Sequence, residues 1–115
     1  MTELDSIKKA LAQFSKDRDW EQFHSPKNLA MALSVEVAEI VEHFQWLSEE
    51  EANTLSADKR HAIAEEIADT QMYLLLLAEK LDVDIIQSVN KKMAKNAEKY
   101  PIEKTKGSSN KYTEY

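Results

Sequence analysis

Cysteine is absent from this chain, and its 115 residues include one glycine and two prolines. Without cysteine there is no disulfide framework and no thiolate metal site, a composition that suits a reducing cytoplasm. So little glycine and proline argues against a turn-rich β protein. No stretch is long and apolar enough to span a bilayer: the longest wholly apolar run is Met72–Ala78. The opening MTELDSIKKALAQF has no long apolar core, so no signal peptide is expected. Cations are outnumbered, 15 to 21, which leaves a net charge of −6. That balance disfavours nonspecific nucleic-acid binding, although nucleotides remain open to an acidic protein whose phosphates are screened by metal ions.

What is present points to helices. Hydrophobic residues make up 43% of the chain and charged residues 31%, enough for one domain with a core and short for two. Leu4, Ile7, Leu11 and Phe14 recur at helical spacing, so a first helix is expected over 3–18. Ser25-Pro26 is a helix start, with serine at the N-cap and proline at the first position. The second helix is expected over about 26–47. SEEEANTL reads as a short acidic turn or helix. Ser56 caps a third long helix over about 57–81, and a fourth runs over about 83–99, ending before Pro101. The expected fold is all-α and four-helix-bundle-like, with one domain over 1–103 and a flexible polar tail over 104–115.

The second and third long helices carry the same device. At about 100° per residue, Leu33, Val37, Ile40, Val41 and Phe44 form an apolar stripe on the second. Glu36 and Glu39, one turn apart, lie roughly 60–120° to one side of it. On the third helix the stripe is expected near Ile63, Ile67, Leu74 and Leu81. Glu66 and Asp69 flank that stripe on the same side, together with Tyr73. One acid-x-x-acid pair is a common solvated face in a chain with 21 acidic residues. Two pairs with matched placement invite a different reading. If the helices pack as antiparallel neighbours, four carboxylates converge, and converged carboxylates repel unless something positive sits among them. Hard divalent cations such as Mg²⁺ or Mn²⁺ take oxygen ligands, and a two-metal cluster suits phosphate-ester or pyrophosphate cleavage. A di-iron bundle is the rival, but it asks for Glu-x-x-His on two helices, and neither Glu36 nor Glu66 has a histidine at that spacing. His43, four residues after Glu39, reads as a surface or outer residue rather than a ligand.

RDWEQFHSPKNLAMALSVEVAEIVEHFQW, EEIADTQMYLLLLA, KMAKNAEKYP and SSNKYTEY together resemble the MazG-like all-α nucleoside triphosphate pyrophosphohydrolases, closest to the dCTP pyrophosphatase branch. The resemblance covers about residues 4–114. It implies Mg²⁺ as cofactor, with Mn²⁺ a substitute, and Glu36, Glu39, Glu66 and Asp69 as metal ligands and catalytic residues. The implied reaction cleaves between the α- and β-phosphates, with attack by a metal-activated water, giving a nucleoside monophosphate and pyrophosphate. Glu39 is the candidate base. Glu65 adjoins the motif but points about 100° away from Glu66 and ranks below the four. The resemblance further implies that Trp20, Trp46 and Tyr73 hold the base, since a flat aromatic face stacks on any base. Asn96, which donates and accepts at once, would read a base edge, and Lys92 would meet a phosphate.

Similar proteins carry a histidine on the first helix, in the base pocket. Leu11 or Gln13 stands thereabouts here, which leaves base selectivity open to cytosine nucleotides, modified or not, and to dATP. His24, in the QFHSP segment, either lines the pocket or caps a turn. Apolar groups all around MYLLLLA call for a subunit interface, and the resemblance implies an obligate oligomer, a tetramer built as a dimer of dimers. KYTE in the tail suggests a flap over the phosphates. The function expected is cytoplasmic removal of selected deoxynucleoside triphosphates, with no nucleic-acid or membrane partner. The alternatives are hydrolysis of another nucleotide on the same fold, such as dUTP or phosphoribosyl-ATP, and a catalytically inactive helical adaptor.

Overall fold

A computed structural model describes residues 1–107, and every regular element among them is helical. In chain order these are α1 (Glu3–Asp17), α2 (Pro26–Phe44), α3 (Glu49–Asn53), α4 (Ala57–Lys80), α5 (Ile85–Lys99) and α6 (Ile102–Thr105), with a single 3₁₀ turn at Glu21–Phe23. The all-α expectation holds. Among the described residues, no helix is long and apolar enough to cross a membrane.

Side-chain caps set the helix starts. Ser25 and Ser56 accept from the backbone N–H groups of Asn28 and Lys59, each at 3.1 Å, as their places predict. Thr2 and Ser48 form capping boxes with Asp5 and Glu51. Asp84 accepts from the Gln87 N–H at 3.0 Å, so α5 starts at Ile85 and not at 83. The acidic SEEEANTL stretch becomes α3, its three glutamates sitting in the first turn where the helix dipole favours them. Other ends fall short of the periodic pattern. α2 stops at Phe44, with Gln45 as its C-cap, three residues before the expected 47. α1 and α4 are each followed within two residues by an aspartate at positive φ, Asp19 at 53° and Asp82 at 54°. Glycine usually takes this left-handed place after a helix, and aspartate is among the few side chains that tolerate it. A chain with one glycine makes its helix ends this way.

The chain divides into two compact units, Met1–Asp82 and Val83–Tyr115. In the first, α2 and α4 pack along one another and α1 packs on α4. Lys8 on α1 pairs with Glu79 on α4 at 3.5 Å. The core is small: Leu29, Ile63, Leu75 and Ala78 are its buried apolar members, Leu29 at 1% exposure. This corrects the expected α4 stripe. Ile63 is buried, but Ile67, Leu74 and Leu81 are exposed, while Leu75 and Ala78 turn inward. Because the Met72–Ala78 run of α4 is apolar around its whole circumference, periodicity alone does not identify the inner face there. Val37 and Val41 of the α2 stripe are exposed as well, and Leu33, Ile40 and Phe44 are half-buried.

The second unit contains α5 and α6. Ile86, Val89 and Met93 lie along one side of α5 and are all exposed. Helical order runs to Thr105, whose hydroxyl donates to the Pro101 carbonyl at 2.8 Å, so the stretch from 104 begins in a helical turn. The KYTE segment lies outside the described residues.

Leu29 fills the centre of the first unit, and truncating it leaves a cavity there. Leu29→Ala is expected to lower unfolding free energy by about 2–5 kcal/mol, read as a shifted urea midpoint with little change in slope.

Candidate metal centre and adjoining cleft

The packing of α2 against α4 brings the acid pairs together. One carboxylate oxygen from each of Glu36, Glu39 and Glu66 lies within 4.8 Å of the others. All three side chains are half-buried. Glu36 Oε2 and Glu66 Oε2 are shielded from solvent and have no hydrogen-bond partner. An unpartnered buried carboxylate oxygen demands either a proton or a cation.

The electrostatics agree with the geometry. The Glu66 carboxyl is pushed up to about 7, first by a hydrogen bond shared with Glu39, then by burial and by the charges of Glu39, Glu36 and Asp69. Burial raises Glu36 first, followed by its hydrogen bond with Glu39 and the charges of Glu39 and Asp69. Asp69, one turn beyond Glu66, stands outside the close trio but near enough for its charge to act on both glutamates. Glu65 faces away and meets His61 at 3.4 Å on the exposed side, as its angular place predicts. His43 is half-buried and is not among the clustered ligand atoms.

This donor set fits a hard divalent cation. It is all oxygen, it is carried on two packed helices rather than on loops, and two of its oxygens are already desolvated without partners.

Beside the cluster, between α1 and α4, a cleft of about 540 Å³ opens. Ile7, Ala10, Leu11, Phe14, Met72 and Leu76 make it mostly apolar, and Ser15, Trp20, His24, Asp69 and Tyr73 supply its polar and aromatic groups. Asp69 therefore belongs to both places: it acts on the glutamates and lines the cleft. Trp20 is held by local structure. The left-handed turn at Asp19 folds the chain back, so that the Trp20 N–H donates to the Ser15 carbonyl at 2.9 Å. The Trp20 ring meets Phe14 edge-on at 5.7 Å, and Arg18 lies 3.5 Å over the other ring of that pair, Phe14.

The remaining candidates are dispersed. Trp20 and Tyr73 line the cleft, whereas Trp46, in the turn after α2, does not and is 86% exposed. Lys92 and Asn96 are exposed, one turn apart on α5, in the second unit. Of the two first-helix positions considered for the missing histidine, Leu11 lines the cleft, while Gln13 is exposed and donates to Asp17 at 2.6 Å. His24, left between two roles by the sequence, is half-buried in the cleft wall. Ser15 also lines the cleft, a place the sequence does not mark strongly. The available signal was its place one turn after Leu11, where a polar residue extends an apolar edge.

Known proteins are similar to this chain in sequence and in fold. A family model described as MazG-like matches residues 31–115. The dCTP pyrophosphatase 1 of Mus musculus is 42% identical over 113 residues, 96% of this chain and 66% of that protein. The Bos taurus protein of the same name is 43% identical over 96% of this chain and 67% of its own length. The chain thus spans about two thirds of these curated relatives. A solved pyrophosphatase structure from Archaeoglobus fulgidus superposes with a TM-score of 0.71 at 37% identity, covering 88% of this chain and 94% of that one.

The raised carboxyls give a pH signature. Below about 4.5, the ordinary glutamate value, Glu66 is protonated in both folded and unfolded states; between there and about 7 the unfolded chain ionises first. Stability of the metal-free protein should therefore fall as pH rises through that window. Glu66→Gln should flatten the fall, and Mg²⁺ should raise Tm more above the window than below it. Melting curves in chelator and in Mg²⁺ test this; identical pH profiles for wild type and variant would show that the acids are not clustered.

Proposed function

The chain belongs to the MazG-like family, and on that premise we propose that it is a divalent-metal-dependent nucleoside triphosphate pyrophosphohydrolase acting on deoxynucleotides, with cytosine nucleotides the leading substrates and dATP or modified dCTP as further ones. The observation that carries this reading is the placement of Asp69, which joins the carboxylate cluster to a cleft walled by Trp20 and Tyr73. On this reading a phosphate-handling centre on α2 and α4 adjoins an aromatic-walled cleft between α1 and α4, with room for a base, and α4 is common to both. The names of the relatives, dCTP pyrophosphatase and pyrophosphatase, support the same reaction class.

On this reading Glu36, Glu39, Glu66 and Asp69 hold Mg²⁺, with Mn²⁺ a substitute. The bound cation supplies positive charge that polarises water and offsets the charge of the phosphates. Glu39, at the centre of the hydrogen-bonded trio, takes a proton from the attacking water. The water oxygen bonds to phosphorus, the α–β bridging bond breaks, and pyrophosphate leaves the nucleoside monophosphate. Trp20 and Tyr73 flank the base, and stacking holds any base while excluding water. Leu11 and Met72 make the pocket apolar, which admits a base without demanding charge. Roles for Trp46 at the base, Lys92 at a phosphate and Asn96 at a base edge rest on the family resemblance.

The exposed apolar side chains of α2 and α4, among them Val37, Val41, Ile67 and Leu74, support a homo-oligomer, which we take to be a tetramer. The cysteine-free chain is read as cytoplasmic.

A product assay tests the function. Incubation with dCTP and Mg²⁺ should release dCMP and pyrophosphate, and chelator should stop it. Glu39→Gln should stay folded and lower kcat by about 10²–10⁴-fold, the usual contribution of a positioned base. Release of inorganic phosphate and dCDP would overturn the α–β assignment. Absence of turnover of any nucleotide by Mg²⁺-loaded protein would favour an adaptor.

A further inference from the structure

Ser15 presents a polar group that the fold does not use. It lies near the C-terminal end of α1 and is 4% exposed, the one buried polar side chain in the described part of the chain. Serines within helices often satisfy their hydroxyls on a carbonyl one turn back. Ser34 donates in this way to the Met31 carbonyl at 2.7 Å, and Ser6 to that of Thr2 at 3.2 Å. The Ser15 hydroxyl makes no such bond to any described residue. Its backbone carbonyl is engaged by the Trp20 N–H, which fixes the residue beside the indole. Ser15 also lines the cleft, amid Leu11, Phe14 and Met72. A serine at this helical position carries a propensity penalty against alanine, and its hydroxyl is not among the solvent-shielded atoms left without a partner, so it stays open to the cleft that Ser15 lines.

We propose that Ser15 is a specificity-determining residue, whose hydroxyl pairs with a polar edge atom of the nucleobase in the cleft. This rests on the proposed nucleotide function and adds to it a reader of the base on α1, a helix that contributes no acid to the metal cluster. A hydroxyl both donates and accepts, so it can satisfy an exocyclic amine, a carbonyl or a ring nitrogen. It penalises a base that presents carbon–hydrogen at that point, because the hydroxyl is then buried unpaired. Ser15 supplies hydrogen bonding to a surface that Ile7, Ala10, Leu11 and Phe14 otherwise make apolar on the α1 side.

The test uses Ser15→Ala, with Ser15→Thr as a variant that keeps the hydroxyl, in the full chain with Mg²⁺. The probes are the four deoxynucleoside monophosphates and 2-deoxyribose 5-phosphate, read by calorimetry and by melting temperature. Without nucleotide, Ser15→Ala should melt no lower than wild type, since alanine is the better helix former and no hydrogen bond of the described fold is lost. It should weaken the best-bound monophosphate by roughly tenfold, the effect of losing a good hydrogen bond in a dry site. Binding of the abasic sugar phosphate should be unchanged, so the ranking of bases is compressed. Ser15→Thr should retain more of that ranking than Ser15→Ala. A lower melting point for free Ser15→Ala with the ranking intact would make Ser15 structural and overturn the proposal. Equal weakening of every probe, the abasic one included, would assign the hydroxyl to the sugar or phosphate and also overturn it. If wild type binds no nucleotide while Mg²⁺ still raises its melting temperature, the nucleotide function itself fails, and the role of Ser15 with it.

Discussion

The mutual repulsion of the carboxylates on α2 and α4 is the constraint around which this structure is arranged. Those helices must pack, because the buried residues Leu29, Ile63, Leu75 and Ala78 come from them. Packing them brings Glu36, Glu39 and Glu66 within 4.8 Å and removes solvent from two of their oxygens. Hydrophobic burial thus forces like charges together, and the raised Glu36 and Glu66 carboxyls report the conflict. A proton relieves it partly, by letting one acid donate to another. A divalent cation relieves it more completely, because it satisfies several oxygens at once and does not depend on low pH.

The same small core explains what the first unit leaves exposed. Ile67, Leu74, Val37 and Val41 lie on the helices that carry the acids, and Ile67 is 55% exposed immediately after Glu66. A unit that buries so few large side chains completely has little to hold its acidic pair of helices together. Covering those apolar faces with another copy would add burial directly beside the cluster. On the proposed function, assembly and metal binding then reinforce one another, because both favour the same approach of α2 to α4.

How much of this was legible in the sequence depended on whether a signal was local. Capping serines and the acid-x-x-acid pairs are short-range patterns, and the structure shows Ser25, Ser56, Glu36, Glu39 and Glu66 in the expected relations. Glu65 turned away, as a helical step requires. Facing was not local. MYLLLLA is apolar in every direction, so its inner side is chosen by what α1 and α2 present, and the choice fell on Leu75 and Ala78 rather than Leu74 and Leu81. Helix ends were blurred for a related reason. Aspartates at 19 and 82 fill left-handed positions where glycine is the usual flag, and nothing in the period of α2 marks Phe44 as its last residue. The cleft was the least legible feature, since it needs the return of Trp20 onto α1 as well as the packing of α1 on α4. Ser15 gains meaning only after both are placed.

The division of labour between helices has a chemical consequence. The clustered acids sit on α2 and α4 alone, while α1 contributes Ile7, Ala10, Leu11, Phe14 and Ser15 to the cleft and none to the cluster. On the proposed function, the bond that breaks is set by one helix pair, and the base that is admitted is set largely by another element. A substitution on the α1 wall, such as one at Leu11, can then alter base preference without disturbing metal binding. The coupling runs through Asp69, which α4 places against both regions. A base seated too deeply or too shallowly against Ser15 and Leu11 would shift its phosphates relative to Asp69 and the glutamates. Selectivity would therefore appear in the rate of cleavage as well as in binding, because the two sites share one side chain and one rigid helix.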